Sequence, residues 1–235
     1  MAQSTRRTEE QSFTPALGYS RLTPVYDVAI AALTRERTWR DALVHAMCPT
    51  SGDRILDVGC GTGTLALKLK GLAPEASVVG IDPDPQVLAR ARKKGQAGSL
   101  VVDWREGFLT GEFVSAIHPM NKVVSSLVLH QTPVDEKRRI LALIYQVLEP
   151  GGTLHIADYG LQRTTLMRIF FRRTVQAIDG TEDTAPNADG KLLNYMQEAG
   201  FDPVEELKVI PTLTGSISIY RAQSPIKGGV NASIR

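Results

Sequence analysis

Cysteine, charge of one sign and long apolar runs are all scarce in this sequence. Its two cysteines, Cys48 and Cys60, are too few for a disulfide framework and stand in no metal-ligand spacing. A net charge of +2 gives no reason to expect a nucleic-acid partner or stable membrane insertion. No apolar run has the length of a membrane span, and residues 1–11 lack the apolar core of a signal peptide. We therefore expect a cytoplasmic protein without a metal site.

Length and composition predict a single folded domain. Of the 235 residues, 43% are hydrophobic and 22% are charged, which is ordinary for one α/β domain with a full core. We expect the domain to span residues 13–222, between polar, disordered tails at residues 1–12 and 223–235.

The most informative stretch is RILDVGCGTGT at residues 54–64. An apolar run that carries Asp57 breaks into glycines, and a helix-forming run follows. The stretch therefore predicts a strand, a tight glycine turn and a helix, which together form the first βα unit of a nucleotide-binding sheet. Glycines allow positive φ and let a ligand lie against the backbone. The helix offers unpaired N–H groups at its start.

The spacing of the glycines separates two kinds of nucleotide site. Dinucleotide-binding turns carry G-x-G-x-x-G, whereas residues 59–63 read G-x-G-x-G and Thr64 stands where the last dinucleotide glycine belongs. The DVGCGTG block resembles motif I of the class I S-adenosylmethionine-dependent methyltransferases. The resemblance implies that the Asp57 carboxylate is linked to the methionine amine of S-adenosylmethionine. It also implies that the turn packs under this cofactor through Gly59, Cys60, Gly61, Thr62 and Gly63. A glycine turn without a ligand is the alternative.

A second acidic residue follows the glycine turn by about twenty positions, the distance at which a ribose-binding acid is expected. Residues 77–81 predict the next strand, and Asp82-Pro83 stands at its tip, where a carboxylate can accept both ribose hydroxyls of an adenosine ligand. Asp82-Pro83 also matches the second motif of the family. The alternative for Asp82 is simple capping of the helix predicted over residues 85–93, although Asp84 is better placed as that cap.

Two positions depart from the family's pattern. The strand predicted at residues 100–104 is followed by Gly107-Phe108, where the family often has an acid that meets the adenine amino group. Phe108 can flank the adenine but cannot accept that hydrogen bond. Asn121 stands where the family usually has an aspartate, just before the strand predicted at residues 122–127.

The SSLVLH run at residues 125–130 resembles the family closely and implies that Ser126 and Leu127 line the cofactor. Ligands of open α/β sheets lie beyond the carboxyl ends of the strands, so His130 falls near the reacting groups. Its ordinary pKa of about 6.5 makes it the candidate general base. The alternative is a histidine that only packs or orders its loop.

Asp158, at the tip of the strand predicted at residues 153–157, is the second catalytic candidate. Its alternative role is to hold Arg163 or a loop. Apart from this acid, the catalytic prediction rests on His130 alone, because His118, His155 and His45 occupy a loop, a strand and a helix surface.

Two segments resemble parts of the ubiquinone/menaquinone-biosynthesis type of methyltransferase that surround the acceptor. LTPVYD at residues 22–27 and Trp39-Arg40 resemble its N-terminal cover, which we place at residues 13–47 with one helix over residues 24–46. The resemblance places Tyr26 at the cofactor and the methyl-transfer pocket. For this tyrosine and for Tyr19, the alternative is a core residue with a surface hydroxyl.

An insert at residues 161–187 follows strand five. Its apolar and basic run over residues 161–177 predicts an amphipathic helix, and residues 179–187 are predicted to form a loop. In the family this insert lids the acceptor pocket. A membrane-surface helix is the alternative. The side chains that we expect at the acceptor are Tyr19, Trp39, His130, Tyr159 and Phe170.

The order of βα units followed by two terminal strands predicts a doubly wound α/β sheet. The resemblance implies a Rossmann-like sheet of seven mostly parallel strands, with the seventh antiparallel. It implies a methyltransferase that uses S-adenosylmethionine for C- or O-methylation of a small, hydrophobic or aromatic molecule. The alternative, motivated by Phe108 and Asn121, is a divergent member that binds the cofactor without methyl transfer or catalyses another reaction. Thr64 argues against a nicotinamide dehydrogenase.

Overall fold

Seven strands form one sheet in the computed structural model, which describes residues 33–226. The strands are β1 (Arg54–Val58), β2 (Ser77–Asp82), β3 (Asp103–Glu106), β4 (Met120–Ser126), β5 (Leu148–Tyr159), β6 (Val204–Thr212) and β7 (Gly215–Gln223). Their order across the sheet is β3-β2-β1-β4-β5-β7-β6. The first five strands are parallel, and β7 is antiparallel to both of its neighbours. The predicted topology and the terminal hairpin are confirmed.

Helices connect the strands and cover both faces of the sheet. The described helices are α1 (Glu36–Met47), α2 (Thr64–Leu72), α3 (Pro85–Ala97), α4 (Gly111–Ala116), α5 (Val134–Val147), α6 (Thr165–Arg173), α7 (Val175–Asp179), α8 (Thr181–Ala188) and α9 (Leu192–Glu198). Among residues 33–226, no helix combines the length and the apolar character that crossing a bilayer requires.

Two apolar clusters show why both faces are covered. Ile55 and Leu56 are neighbours in β1, yet they belong to different clusters, because successive residues of a strand point to opposite faces. The cluster around Leu56 includes residues of α5 and α9, and the cluster around Ile55 includes residues of α1, α2 and α6. Burial on both sides explains why the parallel strands read as apolar runs. The doubly wound fold follows from this pattern.

The structure describes residues 33–47 of the N-terminal cover, and this part differs from the prediction. A turn at Thr34 and Arg35 precedes α1, and Arg35 has a φ of 53°. The helix predicted over residues 24–46 is therefore not continuous, because a left-handed residue interrupts the helical hydrogen bonds. Residues 1–32 lie outside the described part, and so do Tyr19 and Tyr26.

The insert after β5 consists of three helices, α6, α7 and α8, and its second half is not the predicted loop. Gly180, with a φ of 83°, separates α7 from α8. Glu182 and Asp183 lie in the first turn of α8, where acidic side chains favour helix formation, and Thr184 and Asn187 are buried. The polar composition that predicted a loop is thus a helix start with a buried side.

Two strands begin several residues away from their predicted starts. The N–H of Leu100 donates to the carbonyl of Gly95 at 2.9 Å and closes the end of α3, so β3 starts later, at Asp103. β5 starts directly after α5, at Leu148, which pairs with Met120. The Pro-Gly-Gly run therefore lies within the strand, not before it.

Asn121 lies at the amino-terminal edge of the sheet, opposite to the edge at which a ligand would bind. Its Oδ1 accepts a hydrogen bond from the N–H of Arg54 at 2.8 Å, and its Nδ2 donates to Oδ1 of Asp53 at 3.0 Å. Oδ2 of Asp53 accepts from Nζ of Lys122 at 2.7 Å. Burial works to raise the pKa of Asp53, but these donors outweigh it and lower the pKa. The asparagine is therefore part of a structural cluster.

We predict that Asn121→Ala lowers the free energy of unfolding by about 1–3 kcal/mol, because it removes the hydrogen bonds that Asn121 makes with Oδ1 of Asp53 and the N–H of Arg54. Asn121→Asp, which restores the family's usual residue, should also destabilise, because its carboxylate would face that of Asp53. Urea denaturation measures both. Affinity for S-adenosylmethionine should stay within about twofold of the original in Asn121→Ala, and a tenfold loss would show that this edge contributes to binding.

Candidate functional site

The glycine turn between β1 and α2 is held by its neighbours. Gly59, Gly61 and Gly63 have φ values of 71°, 51° and 72°. A Cβ on Gly59 would lie 2.3 Å from Cγ2 of Val128, and one on Gly63 would lie 2.4 Å from the Trp104 ring. A Cβ on Gly61 would meet nothing within 4 Å. Two glycines are thus required by packing, and the third faces open space where a ligand fits.

Cys60 and Thr62 contribute to the turn in different ways. The N–H groups of Gly59 and Cys60 both donate to the carbonyl of Ile81, at 2.9 and 3.1 Å, which ties the turn to the end of β2. The Cys60 side chain is buried, and burial raises the pKa of its thiol. Oγ1 of Thr62 accepts from Nζ of Lys94 at 2.8 Å. These contacts fix the backbone conformation of the turn.

Asp57 is buried at the end of β1, and neither carboxylate oxygen has a hydrogen-bond partner among residues 33–226. Burial raises the pKa of this carboxyl to about 7, although the charge of Arg40 and the nearby N–H of Ala66, which lies outside hydrogen-bond geometry, work in the opposite direction. A buried and unpaired acid is costly to keep. Its position therefore indicates a cationic or hydrogen-bonding ligand.

The resemblance to the N-terminal cover includes Arg40, beside Trp39, but assigns it no role in the site. Its guanidinium pairs with Glu36, stacks 5.0 Å from the centre of the Trp39 ring, and keeps a buried Nε without a partner among the described residues. Burial lowers the pKa of Arg40, and the charge of Asp57 works to raise it. The guanidinium of Arg40 and the carboxyl of Asp57 thus lie within electrostatic reach of each other.

Asp82 lies beside the glycine turn, at the end of β2. Its Oδ2 accepts from the N–H of Gly61 at 2.8 Å and its Oδ1 accepts from the N–H of Asp84 at 3.0 Å. Partial burial raises the pKa of Asp82. The cap of α3 is Asp84, whose Oδ1 accepts from the N–H of Gln86 at 2.7 Å, so Asp82 is not the plain helix cap. Its carboxylate keeps free lone pairs for hydroxyl donors.

Gly107 and Phe108 lie next to Asp82. The N–H of Gly107 donates to the Asp82 carbonyl at 3.1 Å, which joins the loop after β3 to the loop after β2. Pro83, in the loop after β2, is half-buried. Phe108 is 38% exposed.

Ser126 and Leu127 end β4 on the other side of the turn. Leu127 has a φ of 55°, and its N–H donates to the Ala157 carbonyl at 2.9 Å. Left-handed backbone is unfavourable for leucine, so the neighbouring strand holds this bend. The bend carries Val128 against Gly59. It therefore brings the loop that contains His130 next to the glycine turn.

His130 lies in a 3₁₀ turn, Leu129–Gln131, and is buried between two carboxylates. Its Nδ1 donates to Oδ1 of Asp158 at 2.7 Å, and its Nε2 lies 3.5 Å from Oδ2 of Asp179. The Tyr159 ring meets the imidazole edge-on, with 5.0 Å between ring centroids. The sequence did not point to Asp179, because its contact with His130 depends on the fold of the insert.

These carboxylates make His130 a cation at neutral pH. Burial works to lower its pKa, but Asp158 and Asp179 outweigh burial and raise the pKa to about 9. A general base must be unprotonated at the working pH, so the structure disagrees with the predicted base role. The stabilisation from the charged form is full below about 6.5, the pKa of an unfolded histidine, and is lost as the pH rises through about 9.

The other residues predicted at or near the acceptor lie in different surroundings. The hydroxyl of Tyr159 is 2.7 Å from Oγ1 of Thr214, and burial raises its pKa to about 12, so this side chain presents a ring and not a proton donor. Phe170 is half-buried on α6. Trp39 is buried in the cluster around α1 and has no open face. Arg163 pairs with Glu206, so holding Arg163 is not the role of Asp158.

A separate surface groove of about 700 Å³ runs between α1 and β6 and is lined by Arg37, Thr38, Asp41, Ala42, His45, Ala46, Leu207, Lys208 and Ile219. It contains none of the predicted site residues. Within residues 33–226, no group of three or more histidine, cysteine or acidic side chains is arranged to hold a metal ion.

Comparison with known proteins places the chain among methyltransferases. Residues 55–152 match the family described as methyltransferase domain. A demethylmenaquinone methyltransferase from Thermus thermophilus is 31% identical over 173 residues, which cover 69% of this chain and 75% of that protein. Another from Deinococcus radiodurans is 28% identical over 211 residues, which cover 87% of this chain and 85% of that protein.

Solved structures show the same fold at low identity. Magnesium protoporphyrin IX methyltransferase from Synechocystis PCC 6803, with bound S-adenosylhomocysteine, superposes with a TM-score of 0.62 at 18% identity, covering 88% of this chain and 90% of that one. An O-methyltransferase family protein from Burkholderia thailandensis gives 0.66 at 18% identity, covering 85% and 59%.

We predict that Asp57→Asn stabilises the cofactor-free protein at about pH 8, by about 1–3 kcal/mol, while it weakens S-adenosylmethionine binding at least tenfold. The native carboxyl has a pKa raised to about 7, so the cost of ionising it grows as the pH rises towards that value. The gain should therefore shrink at about pH 5. Denaturation at both pH values and calorimetry measure the effects. A variant that is less stable at about pH 8 would show that Asp57 is already paired.

We also predict that Gly61→Leu prevents cofactor binding, whereas Gly61→Ala retains most of it. Both variants carry the same backbone strain of about 1–2 kcal/mol at positive φ, and they differ only in the volume that enters the open space. Calorimetric titration with S-adenosylhomocysteine compares them. Equal affinity of the two variants would contradict a ligand position over Gly61.

Proposed function

The chain belongs to the class I S-adenosylmethionine-dependent methyltransferases of the ubiquinone/menaquinone-biosynthesis type, and from this premise we propose that it methylates a ring carbon of a small, apolar aromatic molecule. The protein is an enzyme, and its cofactor is S-adenosylmethionine. The single observation that carries the choice of acceptor is the similarity to two demethylmenaquinone methyltransferases over most of their length.

The residues of the site fit the cofactor. The unpaired carboxylate of Asp57 suits the methionine amine, the open space over Gly61 suits the bound chain of the ligand, and Asp82 has lone pairs for ribose hydroxyls. S-Adenosylmethionine supplies an electrophilic methyl group on a sulfonium. Arg40 lies in the same region as Asp57 and can face the methionine carboxylate. Phe108 offers an aromatic face towards the adenine.

The transfer is a displacement in which the protein mainly aligns the two reactants. S-Adenosylmethionine would supply the methyl group and leave as a neutral thioether, and the acceptor ring would supply the electron pair of the new carbon–carbon bond. The ring then loses a proton from that carbon and regains its aromaticity. The proton passes to solvent or to the ring oxygen. The rings of Tyr159 and Phe170 suit an apolar wall that excludes water.

The charge of His130 supports an acceptor whose ring is electron-rich. A cationic imidazole does not remove a proton from a weakly acidic hydroxyl, but it can stabilise a ring that is already ionised. The divergent, non-methylating alternative had two reasons, Phe108 and Asn121. The second no longer applies, because Asn121 lies at the opposite edge of the sheet. Phe108 remains, and it concerns adenine contacts, not the methyl group.

The proposal is tested by methyl transfer to a reduced naphthohydroquinone, with the oxidised quinone and the dimethyl ether as controls. We expect mass spectrometry to show one added methyl group on the hydroquinone, and NMR to place it on a ring carbon. The quinone, whose ring is electron-poor, and the ether, which cannot ionise, should react at least tenfold more slowly. Asp57→Asn should be inactive and Asn121→Ala active. Exclusive O-methylation, or binding of the cofactor with no transfer, would contradict the proposal.

A further inference from the structure

The two nitrogens of His130 have unequal surroundings. Asp158, the partner of Nδ1, is itself fixed by the backbone N–H groups of Leu129, His130 and Tyr159, at 2.7, 3.3 and 2.7 Å. A carboxylate with this many donors has little freedom to move. The Nδ1 side of the imidazole is therefore permanently occupied, and a ligand can reach the ring only at Nε2.

Nε2 faces a partner that holds it loosely. Oδ2 of Asp179 lies 3.5 Å away, which is an ion-pair distance but longer than a charge-assisted hydrogen bond of about 2.7–2.9 Å. Asp179 is the last residue of α7, its side chain is 15% exposed, and Gly180 follows at a φ of 83°. A Cβ on Gly180 would meet nothing within 4 Å. Asp179 thus stands at a helix end, next to a glycine with open space around it.

Further charged side chains surround His130. Lys137 is buried on α5, donates Nζ to the carbonyl of Asp183 on α8, and lies within electrostatic reach of Asp158. Two cations, His130 and Lys137, therefore share three carboxylates: Asp158 and Asp179 act on His130, and Asp158 and Asp183 act on Lys137. Movement of Asp179 away from Nε2 takes one of the two neighbouring negative charges from His130, and an anionic ligand atom in that place restores it.

We propose that Nε2 of His130 is the subsite for an anionic oxygen of the acceptor, and that the Asp179 carboxylate occupies this place until the acceptor binds. The inference rests on the proposed function and names its substrate class: phenolates, enolates and hydroquinone monoanions, not neutral rings. An anionic oxygen at hydrogen-bond distance replaces one negative charge by another and makes a shorter contact. Asp179 acts through His130 and is a positioning residue, which competes with the acceptor.

The test uses 4-nitrophenol as the probe, bound to the full chain saturated with S-adenosylhomocysteine, because its visible spectrum reports ionisation directly. At a pH just below the pKa of free 4-nitrophenol, we expect the bound probe to show the phenolate band. 4-Nitroanisole, which has the same ring but cannot ionise, should bind at least tenfold more weakly.

Variants separate the subsite from simple packing. His130→Gln should lower the affinity for 4-nitrophenolate about tenfold and leave that for 4-nitroanisole unchanged, because only the charged contact is lost. Asp179→Asn should raise phenolate affinity several-fold, because the competing carboxylate is gone. Asp189→Asn, an exposed acid on the same insert, is the matched control and should change neither affinity. A wild-type complex that binds no phenolate, or binds the anisole equally well, overturns the proposal.

Two further outcomes keep the inference distinct from the proposed function. If His130→Gln fails to fold, Asp179→Asn decides alone, and an unchanged or reduced phenolate affinity in that variant overturns the proposal. Failure of the anion subsite would leave S-adenosylhomocysteine binding and ring methylation intact. Failure of ring methylation, with phenolate binding retained, would count against the proposed function and not against this subsite.

Discussion

The site depends on one constraint, the burial of the Asp57 carboxylate at the end of β1. β1, β2 and β4 are parallel, so their carboxyl ends lie at the same edge of the sheet. Asp57, Asp82 and the loop after β4 therefore surround one space. Two glycines of the turn are fixed by Val128 and Trp104, and the third is left open. Among residues 33–226 this buried acid has no hydrogen-bond partner, and a ligand that carries a positive charge, as S-adenosylmethionine does, would stabilise its ionised form.

Local chemistry explains how much the sequence could predict. Motif spacing identified the βα unit, Asp82 and the Asp84 cap, because these features depend on residues close together in the chain. The residues whose roles come from packing were not accessible in this way. The polarity of residues 181–187 indicated a loop, since no local signal shows which side of α8 is buried. Asp179 meets His130 only because the insert packs against the 3₁₀ turn through α8, so its position could not be predicted from spacing.

The chemistry of His130 shows why residue type alone is a weak guide to mechanism. A free imidazole is a good base near neutral pH, but two carboxylates convert this one into a cation. The raised pKa favours a charged imidazole over a free base, so the chemistry of this histidine depends on the carboxylates beside it. A similar correction applies to Asn121, where a departure from the family's pattern belongs to a structural cluster at the other edge of the sheet.

The position of β7 between β5 and β6 has a consequence for the order of assembly on the ribosome. β6 is synthesised first but has no place in the sheet until β7 has paired with β5. The start of β7 also seats the insert, because Gly215 lies against Phe171 and the N–H of Ser216 donates to Gln162 at 2.8 Å. The strands β1, β2 and β4, which carry the proposed cofactor residues, are therefore complete long before the insert can dock. A nascent chain thus forms the proposed cofactor side of the site first and the insert side later.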